Sequence, residues 1–183
     1  GHQTISVTLD PIAKDQSEKT AATDPPAMQT AETAEDPQRR AVEIALREGN
    51  GFSMWNTSGV TSSRDITNAE QLPKGRFGVV FLDLHGMGSL SDSDWKTLTK
   101  VQSLQDLICK QRTIPAGAFN RLSALRTLHL GNCEMSRESL SGISQLTDLH
   151  ALVLYSNPAV TDETCDEIGG LEELRELNLN NTS

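Results

Sequence analysis

The sequence predicts an α/β fold built as a right-handed β-α superhelix. Short parallel strands would form a concave face, helical or 3₁₀ segments a convex face, and an N-terminal α+β unit would cap one end. Three observations predict it. From Val79 onward an apolar, two any, apolar, one any, apolar pattern recurs. The second half of each unit carries apolar residues spaced by three. Residues 37–78 instead carry a helix signal followed by a hairpin signal.

The anchors of the repeat are Val79-Leu82-Leu84, Leu104-Leu107-Cys109, Leu125-Leu128-Leu130, Leu149-Leu152-Leu154 and Leu174-Leu177-Leu179. Their starts are separated by 25, 21, 24 and 25 residues. That period belongs to solenoids, whose units each hold one supersecondary element and bury a core only by stacking. The units run 79–103, 104–124, 125–148, 149–173 and a partial 174–183. Trp95-Leu98-Val101, Leu140-Ile143-Leu146 and Cys165-Ile168-Leu171 lead into the next anchors, a spacing that suits a short helix with one inward face. The second unit is shorter, and Ala116, Phe119 and Leu122 take this place. Each buried leucine contributes roughly 1.5–3 kcal/mol.

Upstream, Asp36-Pro37 is an N-cap followed by a proline suited to the first helical turn. Val42, Ala45 and Leu46 fall on one face and Gly49 stops the run, so a helix is expected over 37–48. Phe52, Met54 and Val60 flank Asn56-Thr57-Ser58-Gly59 and read as a hairpin. Trp55 is expected to pack between hairpin and helix, with ligand stacking as its other reading. Residues 1–36 are expected to be a flexible linker or tail. They are rich in Ala, Thr, Asp, Glu and Pro and poor in large apolar residues. Within them, Ile5, Val7 and Leu9 alternate as in a strand.

On these residues, 79–183 resembles the leucine-rich repeat family. Ser91-Asp92 and Thr161-Asp162, at the helix starts, resemble the Thr-Asp pair of its bacterial or cysteine-containing subclass. The stretch DPQRRAVEIALREGNGFSMW, with QLPKGRFGVVFLDLHG after it, resembles the N-terminal cap of bacterial members. The family carries asparagine eight positions after the first anchor, as a hydrogen-bonded ladder. Here that column reads Met87, Arg112, Cys133, Asn157 and Thr182, so a continuous asparagine ladder is not expected. The resemblance implies a non-catalytic binding scaffold. A recognition arm of a larger membrane-anchored or multidomain bacterial protein is an alternative, and a hydrolase a remote one.

Composition narrows the partners. The net charge is −9, with 16 Lys+Arg against 25 Asp+Glu, which disfavours nucleic acid. Apolar runs are too short to span a bilayer. The chain opens Gly-His-Gln, so the natural N-terminus is expected to have been removed, and the compartment stays open with an extracytoplasmic or cell-envelope setting preferred. Cys109, Cys133 and Cys165 replace apolar positions and are expected as small buried hydrophobes. His85 and His129 sit in columns two units apart, about 10 Å, too far to share a metal. Ser93-Asp94-Trp95-Lys96 matches Ser-x-x-Lys without companion motifs. No catalytic residue, metal or cofactor is expected.

The residues left for function alternate with the anchors. One column is Phe81, Asp106, Thr127, Ala151, Glu176; the next is Asp83, Ile108, His129, Val153, Asn178; the third is His85, Lys110, Gly131, Tyr155, Asn180. Phe81, Asp83, His85, Asp106, Ile108, Lys110, His129, Val153, Tyr155, Asn178 and Asn180 are the expected contacts for an unidentified protein partner, as apolar residues among polar ones mark such surfaces. The last strand, near Ser183, is expected as an uncapped edge open to self-association.

Overall fold

The structure is a computed structural model that describes residues 6–8, 36–56, 59–62, 66–86 and 90–182. It is mixed α/β with a mostly parallel sheet. Five strands lie parallel in chain order: β4 (Phe77–Asp83), β5 (Asp106–Ile108), β7 (Thr127–His129), β9 (Ala151–Val153) and β10 (Glu176–Asn178). Their register pairs Leu82, Leu107, Leu128, Leu152 and Leu177 in one row. Paired residues share a face, so this row is continuous. The anchors are fully buried from Val79 through Leu154. At the end Leu174 is still buried, while Leu177 and Leu179 are only partly so. Two further strands, β6 (Thr113–Ile114) and β8 (Glu134–Met135), pair parallel beyond the main sheet.

The segments between strands differ in length and therefore in form. Helix α2 (Asp92–Leu98) starts at Ser91, whose Oγ accepts the Asp94 amide at 3.2 Å, and buries Trp95 and Leu98. Helix α3 (Arg137–Leu140) is one turn, continued by a 3₁₀ turn at Ile143–Gln145. Helix α4 (Asp162–Ile168) starts at Thr161, whose amide donates to Thr164 Oγ1 at 2.9 Å. The short second unit has no helix and folds as successive three-residue turns over 115–125. Two expectations are corrected here. Ala116 is exposed, and Ala118 joins Phe119 and Leu122 in the core. Cys165 is only half-buried, because the helical turn aims Thr164 and Ile168 inward.

At one end, α1 (Pro37–Arg47) stops one residue short of the expected span and buries Ala41, Val42, Ile44 and Ala45. Asp36 caps it, accepting the Gln38 amide at 3.0 Å. Strands β2 (Phe52–Asn56) and β3 (Gly59–Ser62) form the expected hairpin, and β2 pairs antiparallel with β4. Gln38 Oε1 accepts the buried Val79 amide at 2.7 Å, and Arg39 lies over the Phe77 ring at 5.6 Å. Phe77 and Val79 thus face the helix, and Gly78 between them faces away. A Cβ on Gly78 would meet the Trp55 indole at 2.6 Å. Trp55 therefore lies on the sheet face opposite α1, which corrects its expected place between hairpin and helix.

At the other end, β1 (Ser6–Thr8) pairs antiparallel with β10, Val7 opposite Leu177. The expectation of an uncapped edge at β10 is corrected by this pairing. Residues 1–5 and 9–35, including Ile5, Leu9 and most of the expected linker, lie outside the described residues, as does Met87. No helix among the described residues is long and apolar enough to cross a membrane.

Candidate functional site at the C-terminal ends of the parallel strands

The site begins with a turn that recurs after each strand. Gln111, Asn132, Ser156 and Asn181 all have φ between 53° and 57°, each seven residues after its unit's first anchor. The equivalent residue after β4 is Gly86, also at positive φ. Side chains seldom accept this region, so a repeated occurrence signals a shared constraint. The next residue supplies it. Arg112 Nε donates to the Leu84 carbonyl, Cys133 Sγ to the Cys109 carbonyl at 3.0 Å, and Asn157 Nδ2 to the Leu130 carbonyl. Each bond reaches one unit back to the third anchor. Without it, a buried carbonyl would lose a partner at a cost of about 1–3 kcal/mol. Three different residue types do the work of one ladder.

The turns place the expected columns on the sheet face that the anchors leave. Phe81, Asp106, Thr127 and Ala151 are half-buried, and Glu176 is exposed. Asp83, Ile108, His129, Val153 and Asn178 are half-buried. In the third column His85 is exposed, Lys110, Tyr155 and Asn180 are half-buried, and Gly131 is buried. Gly131 is covered by Tyr155: a Cβ there would lie 2.2 Å from the ring. The same ring meets His129 edge-on, with centroids 5.7 Å apart and planes at 73°.

A shallow pocket of about 680 Å³ opens where this face meets the turns. It brings together four of the expected residues, Asp83, His85, Lys110 and Tyr155. Phe81, Asp106, Ile108, His129, Val153, Asn178 and Asn180 do not line it. It adds Gln111, Asn132 and Ser156, which the sequence reading missed. Their signal was positional: each stands one residue before the ladder column. Asp83 Oδ1 accepts from the His85 amide at 3.1 Å and from His85 Nδ1 at 2.9 Å. Burial pushes the His129 pKa down, the Lys110 charge pushes it further, and Asp83 opposes both. Its Nε2 is buried without a hydrogen-bond partner among the described residues.

The other chemical candidates are placed as well. Among the described residues no group of three or more His, Cys, Asp or Glu could hold a metal. Ser93 Oγ lies 2.9 Å from Ser91 Oγ at the start of α2, and Lys96 is exposed. Burial raises the Cys109 thiol pKa, and Cys133 adds to it; burial also raises Cys133 and Cys165. His85 and Ser156 belong to strands three steps apart, about 14 Å. No family model matches the chain, and no curated protein matches it either.

Proposed function

We propose that this chain is a leucine-rich repeat solenoid that binds another protein, without catalysis, through the concave face carrying Phe81, Ile108, Val153 and Tyr155. The solenoid reading is supported by one parallel strand per unit, by the recurrent left-handed turn, and by the side-chain-to-carbonyl ladder reaching one unit back. The observation that carries the binding reading is the Tyr155 ring. It covers Gly131 and meets His129 edge-on, half-buried where a face of mixed apolar and polar side chains meets the turns. A rigid aromatic in that setting loses little side-chain entropy on contact and is the usual kind of interface anchor. The wide separation of His85 from Ser156 supports a role without nucleophilic chemistry.

The test compares capture by the wild type with capture by a Tyr155→Ala/Ile108→Asp double variant of unchanged circular dichroism and melting. A partner retained by the first and lost by the second is the expected outcome. Equal capture by both contradicts the reading.

A further inference from the structure

We infer that protonation of His129 lifts the Tyr155 ring from its seat on Gly131, so that the concave face releases its protein partner in acid. The inference rests on the concave-face reading and adds a control to it.

The placement of His129 carries the argument. Its Cα partners are Ile108 on β5 and Val153 on β9, so the imidazole stands between two branched apolar side chains. Tyr155 packs against it edge-on, with centroids 5.7 Å apart. Nε2 is buried there without a hydrogen-bond partner among the described residues. A neutral imidazole tolerates this, because its one proton can sit on Nδ1 and leave Nε2 a bare lone pair. An imidazolium does not, because both nitrogens then carry N–H and the buried one faces no acceptor.

The surrounding groups offer no relief. Asp106 stands diagonally from His129 on β5, and Asp83 two strands away on β4; neither reaches Nε2. Asp83 already accepts two N–H groups from His85. Lys110, at the other diagonal on the β5 side, repels a second cation. The β9 side adds only the Tyr155 phenol, which does not reach Nε2 either. Burial and the Lys110 charge lower the His129 pKa from 6.5 while Asp83 opposes them, in line with a site that disfavours the imidazolium. A turn of the ring that brings Nε2–H to water breaks the edge contact with Tyr155. The phenol ring then loses the neighbour that holds it over Gly131.

A bound partner deepens the effect. Whatever covers Ile108, Val153 and Tyr155 also removes water from His129 between them. The imidazolium is then disfavoured more in the complex than in the free chain, so the His129 pKa falls further on binding. A group whose pKa falls on binding leaves affinity complete above its free-chain pKa. Below that value affinity drops by up to about tenfold per pH unit.

The test uses the full chain with fluorotyrosine at Tyr155, its single tyrosine, titrated from about pH 7 to about pH 4.5. Proton NMR follows the His129 Cε1–H in the same samples. Both signals should move together with one midpoint below 6.5, a comparison within the wild type that needs no variant. His129→Gln should hold the fluorine resonance at its neutral-pH position, and His85→Gln should leave the transition in place. A partner lost by Tyr155→Ala/Ile108→Asp should bind the wild type about tenfold more weakly one pH unit below the midpoint, and His129→Gln should remove most of that dependence. A fluorine resonance that ignores the His129 titration overturns the inference and leaves the concave-face reading intact. A partner held equally above and below the midpoint does the same. Tighter binding in acid overturns it in favour of an imidazolium that gains an acceptor or rests on the Tyr155 ring. Equal capture by the wild type and Tyr155→Ala/Ile108→Asp overturns the concave-face reading, whereas the ring movement is decided in the chain alone.

Discussion

The buried Arg112 side chain donates from Nε to the Leu84 carbonyl one unit upstream, and its terminal nitrogen pairs with Glu48 just beyond α1 at 2.8 Å. One residue thus continues the ladder of the repeats and ties it to the N-terminal cap. Arg112→Ala would leave the Leu84 carbonyl unpartnered and release Glu48. The expected loss is about 2–4 kcal/mol in urea unfolding, most of it from stranded polar groups. An unchanged urea midpoint would show that the tie contributes nothing.

The same tie sets an acid limit. The Arg112 hydrogen bond holds the Glu48 carboxyl below its ordinary value of 4.5; burial opposes this and Arg47 adds to it. Its folded pKa lies below its unfolded one, so the unfolded state binds the proton more readily. The contribution is therefore complete above about 4.5 and lost as pH falls through the folded value. Glu48→Gln should lower stability at pH 7 and flatten the loss below pH ~4.5. A parallel acid limb in the variant contradicts this.

Gly131→Ala tests the seat of Tyr155. The added Cβ would lie 2.2 Å from the ring, so the ring must move while the strand around it stays. Tyr155 is the single tyrosine, so incorporated fluorotyrosine gives one fluorine resonance. That resonance should shift and broaden in the variant, and partner capture should fall, with melting lowered by only a few degrees. An unshifted resonance would mean that the ring does not rest on Gly131.

The thiols should differ in reactivity by position. Cys165 is half-buried and Cys109 and Cys133 are buried, with Cys133 donating its proton to the Cys109 carbonyl. Alkylation read by mass spectrometry should reach Cys165 first, and the other two only on unfolding. Early modification of Cys109 would contradict the packing.

Deleting residues 1–9 removes the partner of β10. The amides of Glu176–Asn178 should then exchange faster, and sedimentation should show association that grows with concentration, because a bare edge beside the partly exposed Leu177 and Leu179 invites pairing. Identical exchange with and without the segment would show that β1 does not hold that edge.

The register of the parallel sheet was legible because leucine spacing encodes it directly: the residues between anchors are Cα partners across successive strands. The pocket was half legible. Asp83, His85, Lys110 and Tyr155 follow from alternation, which the strands obey. Gln111, Asn132 and Ser156 do not, because they stand in a left-handed turn without the glycine that flags one. Trp55 was misplaced although alternation along β2 places it: Phe52 and Met54 are buried on one face, so Trp55 falls on the other. The β1–β10 pairing joins opposite ends of the chain, and a few alternating residues carry no information about so distant a partner.

The most direct test of the binding face is site-specific photo-crosslinking. A photoreactive residue replacing Ile108 or Val153 on the sheet face is compared with one replacing the exposed Glu163 on α4. The same partner adduct should form from both sheet positions and not from α4. Adducts from Glu163 alone, or equally from all three positions, would contradict the concave-face reading.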